Sequence, residues 1–163
     1  MWIVKIRLKF TTPCLGNRLQ GAMFLHLRDG DNQIVFLQSW WESAIINAAQ
    51  AVGRHVEDVK KIRWSPMVDG HLKIHRRWYR RDKYRKHEAF EVGDEIAVKA
   101  MVPTEISIEH FTEILGVLGE FFGISPFRHS SPVPEEQRDA GYGRFKVLEV
   151  KANADRSAEA SQH

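Results

Sequence analysis

Three kinds of side chain in this sequence could do chemistry: histidines, a dense run of cations, and aromatics set among those cations. His71 and His75 alternate with Leu72 and Ile74. On a strand that alternation puts both imidazoles on one face beside Arg77. Such a group has what attack of a ribose 2′-hydroxyl on a phosphodiester needs, a proton acceptor and a charge to stabilise the transition state. His26, His87, His110 and His129 are further acid–base candidates by type. No second acid or base stands at a fixed spacing from His71 or His75, so they read better as hydrogen-bond donors than as catalysts. The reading therefore leans away from an enzyme.

Metal and cofactor chemistry finds little support. His71 and His75 have zinc-ligand spacing on a helix, but this segment reads as a strand. Asp29 and Asp31 lie in a turn without a calcium-loop pattern. The single cysteine, Cys14, excludes an internal disulfide and a multi-cysteine zinc site. No metal and no cofactor are expected.

The cations are more informative. Residues 71–87 hold five Arg and three Lys against Asp82, a net charge of +7 in a chain whose total is +3. A solvated structural stripe would intersperse Glu; this one does not. Trp78, Tyr79 and Tyr84 lie among the cations. Cations neutralise phosphates and aromatic faces stack on unpaired bases, so the pattern points to single-stranded RNA or DNA. The expected contacts are Lys73, Arg76, Arg77, Trp78, Tyr79, Arg80, Arg81, Lys83, Tyr84, Arg85 and Lys86 on this arm. Lys5, Arg7 and Lys9 on the first strand join them, as do Arg128, Tyr142 and Arg144 around a long loop.

Other elements must position these groups. Trp2, Val4, Ile6, Leu8 and Phe10 alternate with Lys5, Arg7 and Lys9, a half-buried strand with a basic outer face. Pro13 ends it. Residues 22–28 and 33–38 predict a hairpin across Asp29-Gly30-Asp31-Asn32. Ser39, three residues before Glu42, predicts a helix cap. Trp41, Ala44, Ile45, Ala48, Ala49 and Val52 form the apolar face of that helix, and Gly53 its stop. A second hairpin is expected over 61–67 and 71–79, making the basic stretch its outgoing arm. A strand at 94–102 and a helix from Ser107 to Phe122 follow. Residues 124–143 read as a functional or disordered loop. A strand at 144–150 closes the fold, and 152–163 reads as a disordered tail.

With 163 residues, 43% hydrophobic and 28% charged, one globular domain over 1–151 is expected, with a basic hairpin arm at about 61–87. Without the first hairpin, the order is β-α-β-β-α-β. The expected fold is α+β, a modified ferredoxin-like antiparallel sheet with two helices on one face and inserted hairpins. The N-terminus has neither the apolar core of a signal peptide nor the length of a membrane span, so a cytoplasmic protein with no membrane partner is expected.

Three segments resemble the RAMP superfamily of CRISPR-associated RNA-binding subunits and related phage-encoded proteins. The opening strand running into TTPCLGNR resembles a strand followed by TPLLG. FLHLRDGDNQIVFLQSWWESAI resembles their hairpin with an acidic-Gly turn and helix entry, and FGISPF with GYGRFKVLEV resembles their glycine-rich loop before the last strand. The resemblance covers most of residues 1–151 through loose motifs. It implies a phage or CRISPR-related origin and single-strand binding, with the stretch 71–87 as a projecting thumb. It also implies side-by-side assembly, as a homo-oligomer or as a subunit of a nucleoprotein complex. Two alternatives stay open: a metal-independent RAMP-type endoribonuclease, and a phage protein-interaction module or inhibitor.

Overall fold

The computed structural model describes residues 1–21, 23–66, 68–70, 78–80, 86–124, 128 and 141–154. The fold is α+β, with two helices and two sheets. Strand β1 (Trp2–Phe10) is the organising element. Its even residues Val4, Ile6, Leu8 and Phe10 are buried, and Lys5, Arg7 and Lys9 are exposed. It pairs antiparallel on one side with β10 (Phe145–Ala154) and on the other with β9 (Glu95–Val102). The short strands β5 (Arg63–Trp64) and β6 (Asp69–Gly70) pair antiparallel with the far edge of β9. The path is β10-β1-β9-β5.

Helix α1 (Gln38–Val52) and helix α2 (Ile108–Val117) bury their apolar stripes in the core that also holds the even face of β1. Trp41, Ala44, Ile45, Ala48 and Ala49 make the α1 stripe at helical spacing. The small residues let α1 lie close, and Trp41 fills the remaining space by stacking on Trp64, centroids 4.2 Å apart. Trp64 continues to Phe111 of α2, and Trp41 meets Phe145 of β10 edge-on. Ser107 caps α2 by accepting from the His110 amide, as its position predicts. The helix then loosens into a π-turn at Leu118–Phe122. There Gly119 presses on the Phe145 backbone so closely that a Cβ would collide with it.

The second sheet departs from the single sheet expected. It contains β2 (Cys14–Leu15), β3 (Arg18–Gln20), β4 (Met23–Leu25), β7 (Trp78–Arg80) and β8 (Lys86–Phe90). β8 pairs antiparallel with β2 and β7 and parallel with β4. The hairpin expected between 22–28 and 33–38 closes only around its turn, where Asp29 N–H donates to Gln33 and Val35 N–H to Leu27; its outer arm is corrected. β4 pairs instead with β3 across a tight turn at Gly21, whose φ is 63°. The Asp29 carboxylate builds the acidic turn by accepting from the Asp31 and Gln33 amides, and the Arg28–Ile34 bridge follows it. Ile34 and Phe36 also bond to the later segment: Phe36 N–H donates to Pro66, and Val68 N–H to Ile34.

Most of the outgoing arm of the second hairpin, 71–77, lies outside the described residues, but its expected turn at 68–70 is corrected: Asp69–Gly70 is strand β6. Arg63–Trp64 and Asp69–Gly70 lie along β9, and the basic stretch contributes β7, which pairs antiparallel with β8. The expected Ser39 cap is replaced by Leu37, with Ser39 inside the helix; Gly53 does close it, at φ 83°. Residues 152–154, expected in the disordered tail, belong to β10 instead, and 155–163 lie outside the described residues. Phe111 is fully buried between the helices and the sheet. Phe111→Ala should cost about 3–5 kcal/mol, read as a lower thermal midpoint or denaturant midpoint.

Candidate nucleic-acid interface

Among the described residues, helices cover one face of the main sheet and leave the other open. Strand register determines what the open face carries. Lys5 lies opposite Lys99 on β9 and opposite Lys151 on β10, so three ammonium groups form one row across three strands. All three residues are exposed, and Ser65 continues the row beside Lys99, its amide donating to the Lys99 carbonyl at 2.9 Å. In the next row Arg7 faces Glu149 and Ala97, with Asp69 beyond. Arg7 reaches Glu149 at 3.8 Å and Glu95 at 3.9 Å, and Lys151 reaches Glu149 at 3.0 Å. Among the described residues neither Lys5 nor Lys99 has a carboxylate partner. A third row holds Lys146, Lys9 and Glu95, and Arg63 sits at the opposite end beside Met101. The face bears no exposed aromatic ring among the described residues; its large apolar groups include half-buried Ile3 and exposed Met101 and Leu148, the last the extra residue of a bulge in β10.

Of the predicted contacts, Lys5, Arg7 and Lys9 share this face. Sequence reading missed Arg63, Lys99, Lys146 and Lys151. The period-two pattern of EIAVKAMV and FKVLEVKA is the signal that places them outward. The arm is the hairpin β7–β8. Arg80 and Lys86 are Cα partners, both exposed, at the end of the hairpin next to residues 81–85. Tyr79 and Tyr142 meet edge to face with centroids 5.7 Å apart, so Tyr142 packs against the arm. Arg144 is buried and donates to the Glu120 carbonyl at 2.7 Å, which places it in the fabric of the fold rather than on the open face. Arg128 donates to Ser43 of α1 at 3.2 Å, and burial lowers its guanidinium from the ordinary arginine range. The backbone of Trp78 pairs with β8. His71, Lys73, His75, Arg76, Arg77, Arg81, Lys83, Tyr84 and Arg85 lie outside the described residues, as does His129.

A buried polar group roots the arm. Glu88 on β8 is fully buried and is gripped by Arg28 through two bonds, 2.7 Å and 2.9 Å. It also accepts from the His26 amide at 3.1 Å. Burial alone would raise the Glu88 carboxyl; the Arg28 hydrogen bonds and charge outweigh it and hold the group below its ordinary value. His87 donates Nδ1–H to the Gly16 carbonyl at 2.7 Å and stacks on Phe24. His26 donates Nε2–H to the Cys14 carbonyl at 3.0 Å, among Phe36, Trp40 and Phe90. Burial lowers it from 6.5 to about 4, so it is neutral at pH 7. Burial pushes the Cys14 thiol far up, so it stays protonated.

A second histidine group joins the end of α1 to the start of α2. With both rings neutral, Arg54 donates to His110 Nε2 at 2.8 Å, His110 Nδ1–H donates to His55 Nε2 at 2.9 Å, and His55 Nδ1–H donates to Asp58 at 3.0 Å. Sequence reading included His110 by type and missed His55. Each ring nitrogen has a protein partner, so the chain acts as a latch between the helices and turns no lone pair toward a substrate. Among the described residues no group of three or more His, Cys, Asp or Glu side chains could hold a metal ion. Nor is any helix among them long and apolar enough to cross a membrane.

No protein-family model matches the chain, and no curated protein matches it. The lowered His26 value makes the fold acid-sensitive. The unfolded imidazole takes a proton near pH 6.5 and the folded one only near 4, so stability is full above that window and lost as pH falls through it. The loss should approach about 3 kcal/mol by pH 4. Glu88 adds to it at lower pH, as its depressed carboxylate protonates. His26→Gln should flatten the fall in denaturation midpoint between pH 6.5 and 4. An unchanged slope would assign the titration to another group.

Proposed function

We propose that the protein is a non-catalytic single-strand nucleic-acid-binding protein that uses the open face of its main sheet. One observation carries the reading: Lys5, Lys99 and Lys151 lie directly opposite one another on three neighbouring strands. Like charges in cross-strand register destabilise a sheet, and a purely structural surface would alternate signs there. A polyanion laid across the row would turn that repulsion into attraction, releasing counterions as it binds. The basic arm, with Arg80 and Lys86 at its described end, would extend the contact beyond the sheet. The absence of exposed rings on the described face favours contact through phosphate and sugar, with any stacking left to the arm's Trp78 and Tyr84.

The finer fold reading belongs with this proposal. The order β10-β1-β9-β5, with two helices against one face, supports a ferredoxin-like core to which the second sheet is added. On that core, membership of the RAMP-like superfamily and side-by-side assembly along a strand, with the arm reaching a neighbour, are the corresponding proposals. The endoribonuclease alternative would rest on His71 and His75, and the interaction-module alternative on the arm alone; no described residue favours either.

Fluorescence anisotropy with a labelled single strand of about 20 nucleotides tests the reading. Replacing Lys5, Lys99 and Lys151 together by Gln should weaken binding. It should also lower the slope of log affinity against log salt by about 2, at about 0.7 per lost phosphate contact. Circular dichroism would verify that the variant stays folded. An unchanged slope and affinity would place the ligand elsewhere, and no binding by the parent protein would reject the function.

A further inference from the structure

We propose that the groove between helix α2 and the outer edge of β10 takes an extended, basic-apolar segment of a partner protein, which adds a strand to the main sheet. The site is separate from the open face and does not rest on the nucleic-acid reading. β10 is the terminal strand of the path β10-β1-β9-β5, so among the described residues its outer edge has no neighbouring strand. Alternate residues of such an edge turn their N–H and C=O groups outward, and a partner chain in β conformation satisfies them. Beside that edge, α2 and β10 enclose a groove of about 940 Å³. Its apolar floor is incompletely covered: Val117, Val147 and Val150 pack on the core but stay partly exposed, and Leu148 is exposed.

Gly116 lines this groove, and the fold itself gives no reason for a glycine there. Gly119 is pressed against Phe145, where a Cβ would collide. A Cβ on Gly116 would meet nothing within 4 Å, and its φ is not in the positive range that favours glycine. Glycine inside a helix is less stable than alanine, so the position is kept small at a cost. A ligand side chain seated against the helix accounts for it. The charge of the helical wall then selects the ligand. Glu113 and Glu120 line the groove on either side of Gly116, and both are exposed. Glu113 reaches Arg54 at 3.9 Å, and no ion pair holds Glu120 among the described residues. Of the cations nearby, Arg144 is buried with its Nε on the Glu120 carbonyl, and Lys146 stands with Lys9 in a row of the open face. The two carboxylates lie about 10 Å apart along the helix, since they are seven residues apart. Positions i and i+4 of an added strand lie about 13 Å apart, a difference that long basic side chains absorb. The fit is Lys or Arg at i and i+4, with an apolar residue at i+2 on Gly116. A nucleic acid would meet these carboxylates as a polyanion. A second copy paired edge to edge through β10 would set two α2 helices side by side, with their carboxylates opposed. The bulge at Leu148 twists the edge, so backbone bonds are few and the side chains supply the selectivity.

The probe is a fluorescein-labelled peptide of sequence SKTVTKS, titrated against the full chain by anisotropy, with SETVTES as its control. The parent protein should bind the first and not the second. Gly116→Leu fills the gap without entering the core and should abolish binding, with circular dichroism verifying the fold. Glu113→Gln and Glu120→Gln together should weaken binding roughly tenfold, as the loss of two part-exposed ion pairs would give. The variant with Gln at positions 5, 99 and 151 should bind the peptide as the parent does, which separates this groove from the open face. No binding of SKTVTKS by the parent at millimolar concentration would overturn the groove as a peptide site and leave the nucleic-acid reading standing. Binding that survives Gly116→Leu in a folded variant would overturn it as well, by placing the peptide elsewhere. Self-association that Gly116→Leu abolishes, with no peptide bound, would also overturn it, by making a second copy the occupant.

Discussion

A strand with neighbours on both sides has no free edge and only two faces, and β1 commits each face to one task. Its side-chain period is two, so Val4, Ile6, Leu8 and Phe10 enter the core together and Lys5, Arg7 and Lys9 leave it together. A slip of one residue against β9 or β10 would bury three cations and expose four large apolar groups. Burying an unpaired ammonium or guanidinium costs far more than any alternative contact could return, so the register is fixed. Everything on the open face follows: once Lys5 is placed, Lys99 and Lys151 fall opposite it.

The core answers with aromatic packing. Trp41 stacked on Trp64 joins α1 to the edge strand, and contacts to Phe111 and Phe145 bring in α2 and β10. Gln38 fastens the same edge, donating to the Ile62 carbonyl at 2.9 Å and accepting from the Trp64 amide at 2.7 Å. A two-residue strand has little ladder of its own, and this side chain supplies part of what it lacks. The second sheet supports the charged arm in another way, through the buried Arg28–Glu88 pair. Loss of one partner of such a pair leaves a buried charge without compensation, so it holds the base of the hairpin against Arg28.

Local pattern made much of this legible in the sequence. The alternation of β1, the helical spacing of Trp41 to Ala49, the Ser107 cap and the inward residues of β9 all lie within single elements. What failed was pairing between elements. The hairpin across Asp29–Asn32 keeps only its inner bonds, and Ile34 and Phe36 also bond to Val68 and Pro66 across thirty-odd residues of chain, a contact that no turn signal marks. The candidate face shows the same division. Lys5, Arg7 and Lys9 were visible because they share one strand. Lys99 and Lys151 were not, because their place in the row depends on register between strands distant in sequence. His55 went unnoticed for a similar reason: its partner His110 lies on the other helix.

The central claim is that the open sheet face, and not the helical side, meets a single strand of nucleic acid. Backbone amide shifts followed by NMR during titration with a short single-stranded RNA test it most directly. The account predicts that Lys5, Ala97, Lys99 and Lys151 move in a dose-dependent way, while Ala44, Ala48 and Phe111 in the helices stay still. Shifts confined to α1 and α2, with β1, β9 and β10 unchanged, would contradict it.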